Sequence, residues 1–191
     1  MKIGLFFGSF NPIHTGHMVL ANYMLEFTGL ERVWFVVSPH NPLKKKTSLL
    51  SDIQRLAMVR EAIGDNIRYK ASNIEFDLPQ PSYTVNTLVH LEEKYPNDEF
   101  ALIMGSDNLE SLHKWKNFEV ILERYKIYVY PRPGFLGGEF AKHKNVVMTD
   151  APQMNISSTM IRDAIKAKKN MQFFMPNGAW KYCEEMHFYT K

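Results

Sequence analysis

The sequence has almost no cysteine and no long hydrophobic run. Cys183 is the single cysteine among 191 residues, which excludes an intramolecular disulfide and a zinc site built on several cysteines. No apolar stretch approaches the roughly 20 residues that a helix needs to cross a bilayer. The apolar run after Lys2 meets Gly8 too soon for a signal peptide. We therefore expect a cytoplasmic protein with no membrane partner.

The chain also lacks a strong charge of either sign. Its 23 basic and 20 acidic residues give a net charge of +3, and there is no basic arm that would predict a nucleic-acid partner. Hydrophobic residues make up 45% of the chain, and no repeat or low-complexity segment interrupts it. This composition and length predict one globular domain over residues 1–191, and they leave a homo-oligomer possible.

Short apolar runs alternate along the chain with segments of helical periodicity. The runs predict buried strands at residues 3–7, 33–37, 67–71, 100–104, 127–130 and 146–148. The helical segments cover residues 16–27, where Gly29 suits a left-handed stop, then 51–63, 85–95, 118–122, 158–165 and a last one opened by Pro176. Such alternation predicts an α/β fold, with a doubly wound parallel sheet and flanking helices, whose ligands bind beyond the carboxyl ends of the strands.

Three polar segments that contain or adjoin glycine follow predicted strands, at residues 8–17, 105–108 and 155–162. Because the carboxyl ends of parallel strands share one edge of a sheet, we expect these segments to form one site. The first segment carries His14 and His17, which are three residues apart, so a helical turn would place both imidazoles on one side. A helix N-terminus there would add unpaired N–H groups and a positive dipole end, which makes both histidines candidate phosphate ligands.

Two simpler interpretations compete with phosphate binding at these histidines. An isolated pair at this spacing is often structural, and it is also compatible with a metal ion. However, no third nitrogen, sulfur or carboxylate ligand is close in sequence, as a zinc site would require. The neighbouring glycines, Gly8 and Gly16, favour close approach of a phosphate to the backbone.

The segment Gly-Ser-Phe-Asn-Pro-Ile-His-Thr-Gly-His at residues 8–17 resembles the signature of the nucleotidylyl transferase superfamily. A second segment, Ile-Ser-Ser-Thr-Met-Ile-Arg at residues 156–162, resembles the partner motif of that superfamily. The resemblance implies a Rossmann-like fold, of the adenine nucleotide alpha hydrolase-like type. It also implies that His14 and His17 contact the α-phosphate of ATP, while Ser157, Ser158 and Arg162 hold the triphosphate. Asn11 stands where aspartate is common in the superfamily, so no magnesium-orienting role is assigned to it.

Four further segments are similar to bacterial nicotinate-mononucleotide adenylyltransferases, and with the first two they cover most of residues 3–165. They are the loop at 39–45, the Ser-Tyr-Thr helix opening at 82–84, the Gly-Ser-Asp segment at 105–107 with Trp115, and Arg132-Pro133-Gly134. By resemblance, Tyr83, Thr84, Trp115 and Arg132 bind the mononucleotide. Trp115 offers an aromatic face to a pyridine ring, and the helix start near Tyr83 offers N–H groups to a carboxylate.

The resemblance also implies ATP contacts spread over all of these loops, with Mg²⁺ accompanying ATP as its cofactor. The expected ATP-binding residues are Gly8, Ser9, Phe10, Gly16, Lys44, Gly105, Asp107, Ile156, Ser157 and Ser158. Asp107 either hydrogen-bonds a ribose or orients magnesium, and the sequence does not choose between the two.

The implied reaction joins the adenylyl group of ATP to nicotinate mononucleotide, with His14, His17 and Arg162 as the catalytic residues. Nicotinamide mononucleotide is an alternative acceptor. Phosphopantetheine is another, although that family typically carries threonine where His14 stands and lacks the Ser-Tyr-Thr element. A non-catalytic nucleotide-binding regulator is a third possibility, but it has no need for His14, His17 and Arg162 together.

Overall fold

A computed structural model describes residues 1–39 and 49–191 of the chain. Within these ranges the six predicted strands and six predicted helices are present, and a short helix at residues 106–110 occurs that the sequence pattern did not predict. The strands are β1 (Lys2–Gly8), β2 (Arg32–Val37), β3 (Tyr69–Ser72), β4 (Glu99–Gly105), β5 (Lys126–Tyr130) and β6 (Val146–Met148). The helices are α1 (Thr15–Phe27), α2 (Asp52–Ile63), α3 (Thr84–Lys94), α4 (Ser106–Glu110), α5 (Phe118–Arg124), α6 (Ser158–Lys166) and α7 (Asn177–Glu185).

The strands form one sheet in the order β3-β2-β1-β4-β5-β6, and every neighbouring pair is parallel. β1 lies at the centre, where Leu5 is paired with Trp34 of β2 on one side and with Leu102 of β4 on the other. The strand order reverses direction between β1 and β4, which is where ligands bind in sheets of this kind. The prediction of a doubly wound parallel sheet is therefore confirmed.

Two hydrophobic cores cover the two faces of the sheet, because successive side chains of a strand point to opposite faces. Phe6 of β1 lies in the core beneath α1, α2, α6 and α7, whereas its neighbour Leu5 lies in the core beneath α3, α4 and α5. The central strands β1, β2 and β4 are apolar on both faces for this reason, and they therefore read in the sequence as continuous hydrophobic runs.

Side-chain hydrogen bonds set several helix boundaries. Ser51 and Gln54 have the sequence spacing of a capping box, and they form one at the start of α2: Ser51 Oγ accepts from Gln54 N at 3.3 Å, and Gln54 Oε1 accepts from Ser51 N at 3.1 Å. The left-handed stop predicted at Gly29 is wrong, because Gly29 has no positive φ. Instead Thr28 leaves α1 in an extended conformation, and its hydroxyl donates to the carbonyl of Met24 at 2.5 Å.

The longest of these helices, α1, has 13 residues. Over the described ranges, no helix combines the length and the apolar character that crossing a membrane requires.

Candidate functional site

A cleft beside β1 brings together the two segments that the sequence places in one site. His14, Gly16 and His17 line one part of the cleft, and Ser157 and Ser158 line another. The remaining lining residues are Leu20, Tyr130, Pro131, Arg132, Pro133, Pro152, Gln153, Met154 and Ile156. Residues about 140 positions apart in the chain therefore meet in one cleft, as expected for segments that follow the ends of parallel strands.

The two imidazoles lie face to face at the start of α1. His14 is the N-cap residue of this helix and His17 is in its first turn, and their ring centroids are 3.7 Å apart with an angle of 21° between the planes. The backbone N–H of His14 donates to His17 Nδ1 at 3.2 Å, which leaves His17 Nε2 to carry the ring proton when the imidazole is neutral. The helical spacing thus places both rings on one side of the turn.

Gly16 is needed for this arrangement because it lies directly against the ring of His14. A Cβ atom at position 16 would lie 3.1 Å from both Cε1 and Nδ1 of that ring. Such a distance is shorter than ordinary van der Waals contact, so an alanine there would push the imidazole away from its place in the cleft.

Both histidines are held in their neutral form. Burial lowers the pKa of His14 to about 4, and the guanidinium of Arg132 contributes further to that change. The pKa of His17 is also well below its usual value, through burial first and then through the proximity of His14 and Arg132. His14 Nδ1 is buried and has no hydrogen-bond partner among the described residues. The cleft therefore presents neutral imidazoles beside a positive guanidinium, a combination suited to an anionic ligand.

The lowered pKa of His14 predicts that the free protein loses stability as the pH falls from about 6.5 towards 4. Over this range the unfolded chain takes up a proton at His14 while the folded chain does not, so the free energy of unfolding decreases. We expect His14 to account for a loss of roughly 2 kcal/mol between pH 7 and pH 5. Urea denaturation at both pH values, compared with the His14→Gln variant, measures this contribution. An equal loss in the variant would contradict it.

The N-terminus of α6 is attached to the loop after β1. Ser157 caps the helix, since its Oγ accepts from the N–H of Met160 at 3.1 Å. Ser158 Oγ donates to the carbonyl of Pro12 at 2.8 Å, and Arg162 Nη1 donates to the carbonyl of Asn11 at 2.7 Å. Arg162 and Ser158 therefore each donate one hydrogen bond to the loop after β1. These two bonds fix the segment at residues 156–162 against the segment at residues 8–17.

Arg132 follows β5 and lies in the same cleft as the imidazoles. Its Nε is 3.8 Å from Asp107 Oδ1, so the two residues form an ion pair at the ends of neighbouring strands. Gly105, the last residue of β4, is in contact with this pair, because a Cβ at that position would overlap Asp107 and lie 3.0 Å from Arg132 Cγ. The segment at residues 105–107 is therefore connected to the cleft by the contacts of Gly105 and Asp107 with Arg132.

The residues expected to hold the pyridine ring lie at the starts of α3 and α5. Tyr83 is the N-cap of α3, Thr84 is the first residue of that helix, and Trp115 is half-buried three residues before α5. Lys116 Nζ lies 4.4 Å from the centre of the Tyr83 ring, which brings the two segments together. None of these residues lines the cleft that contains the imidazoles. Their contact with a mononucleotide stays a prediction.

The remaining expected ATP ligands lie at the end of β1, with one exception. Gly8 is the last residue of that strand, and the carbonyl of Ser9 accepts a hydrogen bond from Arg55. Phe10 is only 2% exposed and its ring packs against those of Phe6 and His17, so it belongs to the core, and only its backbone is left for ATP. Lys44 lies outside the described residues.

Sequence reasoning missed Arg55, a fully buried guanidinium beneath the site. Its Nη1 donates to the carbonyls of Ser9 and Ser38 at 2.6 and 2.9 Å, and its Nε donates to that of Leu50 at 3.2 Å. Its Nη2 is paired with Asp52 at 2.5 Å. Arg55 therefore ties the loop after β1 to the end of β2 and to the start of α2. The capping-box spacing at Ser51 predicts where α2 begins, but it does not indicate that the side chain of Arg55 faces inward.

Comparison with known proteins identifies the family of the chain. The model of the cytidylyltransferase-like family matches residues 5–164. The chain is 56% identical over 190 residues to the probable nicotinate-nucleotide adenylyltransferase of Christiangramia forsetii, covering 98% of each chain. It is 55% identical over 193 residues to the protein of the same name from Flavobacterium psychrophilum, covering all of both chains.

Solved structures share the fold at much lower sequence identity. The nicotinic acid mononucleotide adenylyltransferase of Plasmodium falciparum complexed with NaAD superimposes with a TM-score of 0.81 at 18% identity, covering 99% of this chain and 97% of that one. A putative nicotinate-nucleotide adenylyltransferase from Vibrio parahaemolyticus gives a TM-score of 0.73 at 20% identity, covering 100% and 96%. By the family match and the extent of its identity to these relatives, the chain belongs to the cytidylyltransferase-like family, within the group of nicotinate-nucleotide adenylyltransferases.

Proposed function

We propose that the protein transfers the adenylyl group of ATP to nicotinate mononucleotide, giving nicotinate adenine dinucleotide and pyrophosphate as a step of NAD biosynthesis. The observation that carries this proposal is the meeting of His14 and His17 with the N-terminus of α6 in one cleft. Imidazole N–H groups, the hydroxyl proton of Ser157 and the N–H groups of a helix N-terminus are donors suited to phosphate oxygens, whereas the proton of Ser158 is already donated to Pro12. The choice of nicotinate mononucleotide as the acceptor is supported by the relatives, which are named probable nicotinate-nucleotide adenylyltransferases.

The reaction needs no covalent intermediate with the enzyme. An oxygen of the mononucleotide phosphate attacks the α-phosphorus of ATP, a new P–O bond forms, and the bond to the β-phosphate breaks to release pyrophosphate. The attacking phosphate is already ionised at neutral pH, so a strong general base is unnecessary. In this scheme the residues of the cleft position the two substrates and stabilise the charge that develops on the phosphate oxygens.

The imidazoles and the guanidiniums have separate parts in this scheme. Because His14 and His17 are neutral in the free protein, they act as hydrogen-bond donors to the α-phosphate. The fixed positive charge comes from Arg132 in the cleft and from Arg162 one turn into α6. A polyphosphate in the cleft would raise the pKa of both imidazoles, so bound ATP and proton uptake would favour each other.

Mg²⁺ would enter this site with ATP. Over residues 1–39 and 49–191, no group of three or more histidine, cysteine, aspartate or glutamate side chains is arranged to hold a metal ion. Mg²⁺ commonly keeps several waters and is bound by substrate phosphates with one or two carboxylates, and Asp107 is the carboxylate nearest Arg132 in this site. The donors of the cleft thus fit the magnesium complex of ATP rather than a resident ion.

A direct assay of the purified protein tests the proposal. Pyrophosphate release with MgATP is measured with nicotinate mononucleotide, nicotinamide mononucleotide and phosphopantetheine in parallel, and the dinucleotide product is identified by mass. We expect the highest kcat/KM with nicotinate mononucleotide. A preference for the amide would change the acceptor but keep the reaction class, whereas no release with any acceptor would overturn the proposal.

Replacing Arg162 with alanine is expected to raise the KM for ATP about 10-fold or more, because a charge-assisted donor to the polyphosphate is lost. Steady-state kinetics with ATP varied at saturating mononucleotide measure the change. Lys166→Ala is the matched control, since it removes the same charge one turn further along α6. Equal effects of the two variants would mean that only the overall charge of this helix matters.

A further inference from the structure

The last residues of the chain return to the loop that carries the first motif. Tyr189 Oη donates a hydrogen bond to Asn11 Oδ1 at 2.7 Å, across 178 positions of sequence. Asn11 is buried, with 4% of its surface exposed, and it lies in the loop between β1 and α1. The expected active-site residues do not include Tyr189, and it does not line the cleft that contains the imidazoles.

The segment after α7 is folded so that the ring of Tyr189 points inward. Phe188 is buried in the core, and its N–H donates to the carbonyl of Cys183 at 3.0 Å. The residues on either side of it, His187 and Tyr189, both have left-handed backbone conformations with φ of 52° and 63°. Side chains other than glycine adopt this conformation rarely, so the surrounding packing must hold it.

Asn11 is the point at which several parts of the site are joined. Besides the bond from Tyr189, its Oδ1 accepts from the N–H of Leu50 at 3.3 Å. Its carbonyl accepts from Arg162 Nη1, and the next carbonyl, that of Pro12, accepts from Ser158 Oγ. The position of Asn11 therefore determines where Arg162 and the start of α6 lie relative to His14.

We propose that Tyr189 is a positioning residue for adenylyl transfer: its hydroxyl fixes Asn11, and Asn11 holds Arg162 and the α6 N-terminus at the triphosphate end of the site. This inference rests on the proposed function. Tyr189 touches neither substrate in this scheme and acts only through Asn11. Burial raises the pKa of its phenol, so the hydroxyl stays protonated and remains a donor throughout the working pH range.

The test compares Tyr189→Phe with Tyr182→Phe. Tyr182 is the matched control because its ring also packs against Phe188, while its hydroxyl makes no hydrogen bond within the described ranges. We expect Tyr189→Phe to raise the KM for ATP and to lower kcat/KM for ATP about 10-fold, with the KM for nicotinate mononucleotide unchanged. Tyr182→Phe should match the wild type in all three. Wild-type kinetics in Tyr189→Phe, or equal changes for both substrates, would overturn the inference.

A double-mutant cycle shows whether Tyr189 acts through Asn11. In an Asn11→Ala background, adding Tyr189→Phe should lower kcat/KM for ATP by less than a further 2-fold. A second full 10-fold loss in that background would show that the two residues act independently, and it would contradict the inference.

Amide hydrogen exchange separates this inference from the proposed function. Tyr189→Phe should accelerate exchange in the segment of residues 8–17, and Tyr182→Phe should not, whether or not the protein transfers adenylyl groups. If the wild type were inactive but exchange were faster in Tyr189→Phe, the proposed reaction would be wrong, while the contact of Tyr189 with the loop at residues 8–17 would be supported. Unchanged exchange in Tyr189→Phe would show that the Tyr189 hydroxyl does not fix the loop, and it would contradict the inference.

Discussion

Replacing His17 with alanine is expected to lower kcat by two to three orders of magnitude, the loss typical of removing one donor that stabilises transition-state charge. The ring is fixed by the bond from His14 N to its Nδ1 and by stacking on His14, so its Nε2–H points to one place in the cleft. Single-turnover kinetics with saturating MgATP and mononucleotide measure the chemical step directly. His17→Gln, which keeps an N–H donor near the Nε2 position, should retain more activity.

His90→Ala serves as the control for this experiment. His90 lies on α3, and it makes no side-chain hydrogen bond within the described part of the chain. The His90→Ala variant should leave kcat unchanged, and circular dichroism should show that both variants remain folded at the assay temperature. A His17→Ala enzyme with a nearly normal kcat would show that the imidazole has only a structural part at the start of α1.

Replacing Arg55 with methionine is expected to lower the free energy of unfolding by about 3–5 kcal/mol, because three partly buried carbonyl groups lose a charged hydrogen-bond donor. The substitution keeps much of the side-chain volume but removes every donor. The carbonyls of Ser9, Ser38 and Leu50 then lose their bonds to the guanidinium, and the ion pair between Arg55 and Asp52 is broken. Chemical denaturation at neutral pH measures the difference in free energy.

Arg60→Met provides the comparison on the same helix. Arg60 is exposed near the end of α2, so its replacement should change the free energy of unfolding by less than about 0.5 kcal/mol. A loss for Arg55→Met no larger than that for Arg60→Met would mean that the buried guanidinium contributes nothing net beyond the cost of its own burial.

The parts of the fold that were predicted correctly from the sequence depend on local patterns. Strand β1 follows from an apolar run closed by Gly8, and the start of α2 follows from Ser51 and Gln54, whose side chains satisfy backbone groups within one turn. The facing histidines likewise follow from a spacing of three residues. Such features are determined by a few consecutive residues, so they can be predicted without knowledge of the tertiary structure.

The errors arise where a distant contact or an alternative cap decides the outcome. Gly29 suited a left-handed helix stop, but the hydroxyl of Thr28 donates to the carbonyl of Met24 in the last turn of α1, so the helix ends without a left-handed residue. Arg55 had no local signal, because its partner carbonyls, such as that of Ser9, are up to 46 positions away. Tyr189 had no local signal either, since its partner Asn11 lies near the opposite end of the sequence.

The separation in sequence between the two motifs has a consequence for translation. Ser157 and Ser158 line the same cleft as His14 and His17, and they are synthesised about 140 residues after the histidines. A nascent polypeptide that already contains β1 and α1 therefore has the imidazoles but lacks the hydroxyls and the second helix N-terminus. On the proposed function, we expect nucleotide to stabilise the newly made protein only after residues 157–166 have emerged from the ribosome.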